Sequence, residues 1–313
     1  MQTIIGFLSF EEGLLCKREV LGKVYKGIIA ETCVDICFPC EPSTTKVDPF
    51  RNILDDNPLV EPYEFKKWKK GETNIQWGYP VSYPDWNAYV ECILIKACCE
   101  NDCVDSVTQT MYQVIQEWKR SFLRYCSLCT KQHLNRNRSL REREYCLEIY
   151  APKYVHDMTA RMFHADIPVN SNFATFQQVE NAVQFASSGK ELLLEYQMLL
   201  SAYEARRVYQ NRQAIIDACS AAEICLVNKI KVFCKEKGID PELLLNKYRS
   251  LGDRFKLVAK IDKKFPILDF DNVIVKPRND IAHNRAVYPS DDATDSLIKA
   301  IEQCLKHYHI EYY

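Results

Sequence analysis

The sequence predicts an α+β protein with a mixed α/β domain over residues 1–170 and an all-helical domain over residues 171–313. Three observations lead to this prediction. A chain of 313 residues is long enough for two domains. Segments rich in β-branched and aromatic residues lie within residues 1–110, whereas only helical periodicities follow Phe173. The 47% hydrophobic and 27% charged fractions are those of a globular protein, which excludes disordered, collagen-like and coiled-coil chains.

The N-terminal domain is predicted to contain three strands and one long helix. The strands are Thr3–Phe10, Val20–Glu31 and Ala88–Cys98, and clusters of Pro, Gly, Asp and Asn between them are typical of turns. Asp105–Ser127 is predicted to be a helix because its apolar residues recur every three or four positions. Ile167–Phe173 contains a Pro and polar residues, and is therefore the expected linker.

The C-terminal domain is predicted to contain several helices separated by helix-breaking residues. Gly189 and Gly238 each follow an apolar stripe of helical period, and Asp240-Pro241 is a typical helix start. The predicted helical stretches are Phe176–Ala186, Leu192–Tyr203, Ala214–Phe233, a helix after Asp240, Asp253–Lys264 and Asp292–Tyr308. The sequence contains no internal repeat.

Composition also restricts the compartment and the partners that we expect. No stretch approaches the ~18 uncharged apolar residues that span a bilayer, and Glu11 and Glu12 follow the N-terminus too closely for a signal peptide. We therefore expect a cytoplasmic protein without a membrane partner, whose 15 cysteines are reduced thiols. The net charge of −1 does not by itself indicate a polyanionic partner.

The segment Val275–Asn284 holds the residues that point to chemistry. Pro277 suits the first turn of a helix, and Arg278 and Asn279 would then lie near the unpaired N–H groups that favour phosphate. His283 follows Asn279 by four residues and therefore lies one turn along the same face. A permanent cation, an amide and a group that titrates near neutral pH are the components of a metal-free phosphoryl transfer.

This segment resembles the active-site motif of the HEPN superfamily of ribonucleases. That motif is an Arg, usually followed by a polar residue such as Asn, with four to six residues before a His. It corresponds here to Arg278-Asn279-Asp280-Ile281-Ala282-His283. The resemblance covers about residues 175–313, is closest to the Apea-like branch, and implies an antiparallel helical bundle.

The resemblance also implies an activity and an assembly. A homodimer through the C-terminal helical domain would bring two motifs into one cleft, where the 2′-hydroxyl of RNA attacks the adjacent phosphate. His283 would be the general acid and base, and Arg278 would bind the phosphate. Asn279 would orient His283 or the phosphate. Glu223 on the second long helix would support the site, with Asp217 as the second choice. The resemblance implies neither a metal nor another cofactor.

The primary functional hypothesis is thus a metal-independent endoribonuclease that cleaves RNA, such as tRNA. Its N-terminal domain would sense a phage or protein trigger or select the substrate, as in similar two-part toxins and anti-phage defence proteins. Two alternatives stay open. The helical bundle could be a non-catalytic RNA-binding or protein-binding dimeric adaptor, or Arg278 and His283 could be ordinary structural residues of a helix.

A third reading concerns zinc. Cys126, Cys129 and His133 have the ligand types and close spacing of a zinc site, and Cys37 and Cys40 form a second Cys-x2-Cys group. Cysteine is abundant throughout the chain, so incidental cysteines explain both groups more simply. We therefore expect no metal, and keep zinc-dependent binding as the alternative.

Overall fold

A computed structural model describes residues 2–40, 78–81, 87–100, 102–132, 134, 147–150, 172–267, 269–283 and 288–309. The chain divides into two compact units, Met1–Glu191 and Leu192–Tyr313. Among the described residues, the first contains an antiparallel sheet and two helices, and the second is helical, which confirms the predicted α+β class. Within the described ranges, no helix has both the length and the apolar character needed to cross a membrane.

The sheet of the first unit has six strands with neighbours in the order β2-β3-β5-β1-β6, and β4 also pairs with β5. The strands are β1 Gln2–Lys17, β2 Val24–Ile29, β3 Thr32–Cys37, β4 Gly78–Val81, β5 Asn87–Cys99 and β6 Leu147–Tyr150. The long strands β1 and β5 pair from Gln2↔Cys99 to Lys17↔Asn87, with a shift of register between Ser9 and Leu14. Burial alternates along β2, so one face of this strand is covered and the other is exposed.

The predicted strand Val20–Glu31 is wrong in its extent. Val20 ends a short 3-10 turn, and Gly22 follows with a φ of 68°. β2 then ends in a two-residue turn, Ala30 and Glu31, whose φ values of 50° and 63° match a primed hairpin turn. Because Ala-Glu lacks the Asn-Gly or Asp-Gly signal of such turns, the sequence did not predict the hairpin or β3.

Two helices, α1 Val104–Thr130 and α2 Phe176–Ser187, belong to the sheet unit. The rings of Phe176 and Phe185 in α2 lie 5.1 Å from those of Tyr25 in β2 and Tyr125 in α1. These contacts explain why the observed division falls after α2, whereas the sequence-based boundary precedes it. The expected linker Ile167–Phe173 lies mostly outside the described residues.

The second unit is a bundle around one long helix. Its elements are α3 Leu194–Arg207, α4 Asn211–Lys237, α5 Pro241–Lys247, α6 Leu251–Ile261, a π-helical turn Asp271–Val275, α7 Lys276–Ala282 and α8 Asp291–Tyr308. Helix α4 contacts all five other helices. Its buried alanines, Ala214, Ala218, Ala221 and Ala222, allow close approach of these neighbours.

Helix boundaries on both sides of the division follow the predicted signals. Gly189 and Gly238 have positive φ values of 64° and 65°, and Gly238 terminates α4. The Asp240 carboxylate accepts a hydrogen bond from the Glu242 N–H at 3.0 Å and caps α5, with Pro241 as its first residue. These predictions are confirmed because capping depends on local sequence.

Candidate functional site

The motif lies on α7, and the π-helical turn leads directly into this helix. Pro277 is the second residue of α7, so its expected place in a first turn is confirmed. The backbone at Val275 is already helical, however, and the Lys276 N–H donates to the Asp271 carbonyl five residues earlier. Arg278 and Asn279 therefore do not follow an open helix start. The π turn has a local reason, because a proline ring inside a helical run clashes with the carbonyl four residues before it.

The buried side of this segment attaches it to α6. Ile274 and Ile281 are fully buried, and the Phe270 ring stacks on Phe255 of α6 at 5.1 Å. Gly252 of α6 lies so close that a Cβ there would be 3.3 Å from Val275 Cγ1. These contacts determine which side of α7 is available for polar groups, and Arg278 and Asn279 are half-buried on it.

Arg278 and Asn279 contact each other directly. The Arg278 Nη1 donates a hydrogen bond to Asn279 Oδ1 at 3.2 Å. A half-buried guanidinium with one N–H engaged in this way keeps other N–H groups for a phosphate. His283 is exposed at the end of α7, where its backbone N–H donates to the Asn279 carbonyl at 2.9 Å. Within the described part of the chain, the structure assigns its imidazole no hydrogen bond.

The predicted supporting residue Glu223 lies on α4 and is paired with Arg254 of α6. Arg254 Nη1 donates to Glu223 Oε1, and the Arg254 side chain is only 16% exposed. Among the described residues, the Arg254 Nε has no hydrogen-bond partner. Sequence reasoning missed Arg254, because an arginine on a short amphipathic helix carries no signal of this pairing.

The buried thiol of Cys219 connects Glu223 with the motif. Cys219 precedes Glu223 by one helical turn on α4. Burial raises the pKa of Cys219 to about 12, while the Arg278 guanidinium opposes this shift and the Glu223 carboxylate adds to it. Both charged groups therefore act on the same thiol. Asp217, the second choice for a supporting acid, accepts a hydrogen bond from Gln213 of its own helix at 2.7 Å.

Helices α6 and α7 both contact α4, and each of the two carries a guanidinium. Two guanidinium groups supply fixed positive charge, of which one is neutralised by Glu223. The imidazole of His283 is exposed and is therefore accessible to a ligand. Such a set suits the binding of a phosphodiester and proton transfer beside it.

Two of the four cysteines of the zinc alternative, Cys126 and Cys37, are buried, whereas Cys129 and Cys40 are half-buried. Burial raises the pKa of Cys126 well above its usual range and that of Cys37 to about 12, which disfavours the thiolates that zinc binds. His133 lies outside the described residues. In the described ranges, no three His, Cys, Asp or Glu side chains form a group that could hold a metal ion.

The chain was compared with known protein families, curated proteins and solved structures. A scan against protein-family models and searches of the curated proteins and of the solved structures find no match to this chain. The functional interpretation therefore depends on the side chains of α4, α6 and α7.

Proposed function

We propose that the second unit is a metal-independent endoribonuclease of the HEPN type. The observation that carries the proposal is the pairing of Arg278 with Asn279 on α7, one turn before an exposed histidine. Glu223 of α4 and Arg254 of α6 support the proposal, since they add a carboxylate and a second guanidinium to the same helical bundle.

The proposed reaction uses the substrate's own ribose as the nucleophile. His283 takes the proton from the 2′-hydroxyl, and the oxygen attacks the adjacent phosphate. Arg278 stabilises the charge that develops on the phosphate oxygens. The 5′-oxygen leaves with a proton from an acid, for which the His283 of a second subunit is available in a homodimer. The products are a 2′,3′-cyclic phosphate and a 5′-hydroxyl, and DNA is inert because it lacks the 2′-hydroxyl.

The proposed cellular role is inferred from the resemblance to the HEPN superfamily. A cytoplasmic toxin or anti-phage effector would use the second unit to cut RNA such as tRNA. The first unit would respond to a phage or protein trigger, or select the substrate. These proposed roles depend on the ribonuclease activity, so the activity has to be measured first.

The activity is tested with the purified full-length protein, total RNA and EDTA. We expect cleavage products with cyclic phosphate ends, and a decrease of about 100-fold or more in the rate for His283→Ala. His307→Ala is the matched control, because His307 lies in the same unit and contacts Asp262 at 2.8 Å. Equal cleavage by wild type and His283→Ala would refute the assignment. RNA that is bound but stays intact would favour the adaptor.

A further inference from the structure

Two exposed cysteines lie on neighbouring strands of the sheet in the first unit. Cys33 is near the start of β3, Cys98 is near the end of β5, and both are free thiols. Of the cysteines in the ranges that the structure describes, these two are the exposed ones, and the others are buried or half-buried. Their position in the sheet therefore decides what they are able to do.

The pairing of β3 with β5 brings the two cysteines opposite each other. The strands are antiparallel, and their register ends with the pair Val34↔Ala97. Cys33 precedes Val34 and Cys98 follows Ala97, so the two cysteines are the next opposite pair beyond this end. Opposite residues of antiparallel strands have Cα atoms about 4.5 to 5.5 Å apart. This separation lies within the range of about 4.4 to 6.8 Å that a disulfide bridges.

The side chains of both cysteines lie on the same face of the sheet. Opposite residues direct their side chains to one side, and the exposure of both cysteines shows that this side is open at their end of the strands. Cys98 also lies opposite Thr3 of β1, and its Sγ is 3.9 Å from Thr3 Oγ1. Because Cys98 is exposed, a rotation about its Cα–Cβ bond can turn the sulfur from Thr3 towards Cys33.

We propose that Cys33 and Cys98 form a reversible cross-strand disulfide by exchange with a small disulfide such as oxidised glutathione. The thiolate of one cysteine attacks a sulfur of the small disulfide, so that a mixed disulfide forms and one small thiol leaves. The second cysteine then attacks the protein sulfur of the mixed disulfide, and the second small thiol leaves. The two cysteines lose two electrons and two protons, and the small disulfide takes them up as two thiols.

The exposure of the pair determines both its reactivity and its reversibility. Both sulfurs are open to an oxidant as large as oxidised glutathione. Cys37 lies on the same strand and the same face but is buried, and burial raises its pKa to about 12. Exposed disulfides are among those that are readily reduced, so the pair returns to two thiols in a reducing environment.

The disulfide ties the β2–β3 hairpin to the rest of the sheet. β2 is an edge strand that pairs with β3, and the register of β3 with β5 covers only four residue pairs. A covalent bond next to Val34 adds a connection at the end of β3 that lies nearest the hairpin turn. Amide hydrogen exchange in β2 and β3 should therefore be about tenfold slower in the oxidised protein, and unchanged exchange would contradict this role. The inference does not depend on the ribonuclease proposal.

The test incubates the reduced full-length protein at low concentration with oxidised glutathione, blocks the remaining thiols with an alkylating reagent, and maps the disulfides by mass spectrometry. We expect a Cys33–Cys98 disulfide within one chain that forms about tenfold or more faster than any disulfide of Cys37. Reduced glutathione should reverse it. Cys33→Ser should stop at a mixed disulfide between Cys98 and glutathione.

Cys99→Ser is the matched control, because Cys99 is adjacent to Cys98 in β5 but directs its side chain to the opposite face. This variant should form the disulfide at the wild-type rate. A disulfide that pairs Cys98 with any cysteine other than Cys33, or one that joins two chains, would overturn the proposal. Mixed disulfides with glutathione at both cysteines that never resolve into a bond between them would overturn it as well.

Discussion

Asn279 holds the arginine of the motif, and this contact gives it a defined role among those that the sequence left open. The sequence suggested that Asn279 orients either the phosphate or His283. Its Oδ1 accepts the Arg278 N–H, whereas its backbone carbonyl accepts the N–H of His283. One residue thus positions the cation through its side chain, while helix geometry places the histidine. We infer that Asn279 would act on the proposed reaction chiefly through Arg278.

This role predicts how two variants combine. Asn279→Ala removes a hydrogen bond to a charged group, which is worth about 1.5 kcal/mol, so kcat/KM for RNA should fall about tenfold. In the Arg278→Ala background the same change should have little further effect, because its partner is already absent. The measurement is a double-mutant cycle of cleavage rates. Additive losses would mean that Asn279 contacts the RNA or the His283 ring independently.

The pair of Glu195 and His309 predicts a pH dependence of stability. His309 directly follows α8, and its Nε2 lies 3.3 Å from Glu195 Oε1 of α3. Hydrogen bonds that His309 makes with Cys225 and Glu195 raise its pKa to about 10. The contribution of His309 is therefore complete below its unfolded pKa and is lost as the pH rises towards 10. The pKa of Glu195 is lowered, although burial opposes this, by its hydrogen bond with His309. Its contribution is therefore present above its unfolded pKa and is lost at lower pH.

The two contributions overlap in a window of about pH 5 to 6.5. Glu195→Gln should lower the free energy of unfolding there by about 2 kcal/mol, and by less at pH 3 or pH 10. Urea unfolding across this range measures the difference between the two proteins. Cys225, whose pKa is also shifted by its hydrogen bonds, is present in both proteins. A difference that does not change with pH would show that the ion pair is not the cause.

At the scale of elements, local signals predicted the helices well. The expected Asp105–Ser127, Ala214–Phe233 and Asp292–Tyr308 correspond to Val104–Thr130, Asn211–Lys237 and Asp291–Tyr308. Helical periodicity and caps involve residues three or four positions apart, so a single sequence contains them.

Features that depend on tertiary contacts were not predicted. The β2–β3 hairpin uses Ala30 and Glu31 in left-handed conformations that strand pairing stabilises. The π turn before α7 has no signal apart from Pro277, and the Glu223–Arg254 pair joins residues 31 positions apart. The motif itself could be recognised because its residues are close in the sequence, whereas its surroundings could not.

The close contact between α6 and the π turn predicts that a larger residue at Gly252 displaces the motif. A Cβ at this buried position is already 3.3 Å from Val275 Cγ1, so the two methyl groups of Gly252→Val have no space. We expect a loss of about 2 kcal/mol in the free energy of unfolding and slower RNA cleavage. Thermal and urea unfolding measure the first effect.

Gly252→Ala is the matched control for this prediction. The smaller side chain gains helix propensity, which offsets part of its contact with Val275, so its stability should stay within about 1 kcal/mol of the wild type. A Gly252→Val protein with unchanged stability would mean that α6 and the π turn separate at little cost.

At the scale of the whole molecule, composition and periodicity were sufficient for the fold class. The boundary between the two units was harder to predict from the sequence, because α2 has the same helical pattern as the helices that follow it. Its tertiary contacts place it in the sheet unit, among them its aromatic contacts with Tyr25 and Tyr125 and the hydrogen bond from Gln184 Nε2 to the Lys26 carbonyl. The assembly of subunits leaves no comparable local pattern in a single chain, and therefore requires measurement in solution.

The ribonuclease proposal predicts a functional homodimer. A single exposed His283 cannot act as base and acid at once, so efficient cleavage requires a second copy of the motif. Two chains of 36.5 kDa give a particle of about 73 kDa by light scattering. Cleavage per chain should decrease when dilution separates the subunits. An excess of His283→Ala protein should also lower the activity of the wild type, because each mixed dimer holds only one His283. Full activity from a 36.5 kDa particle at every dilution would contradict the shared cleft.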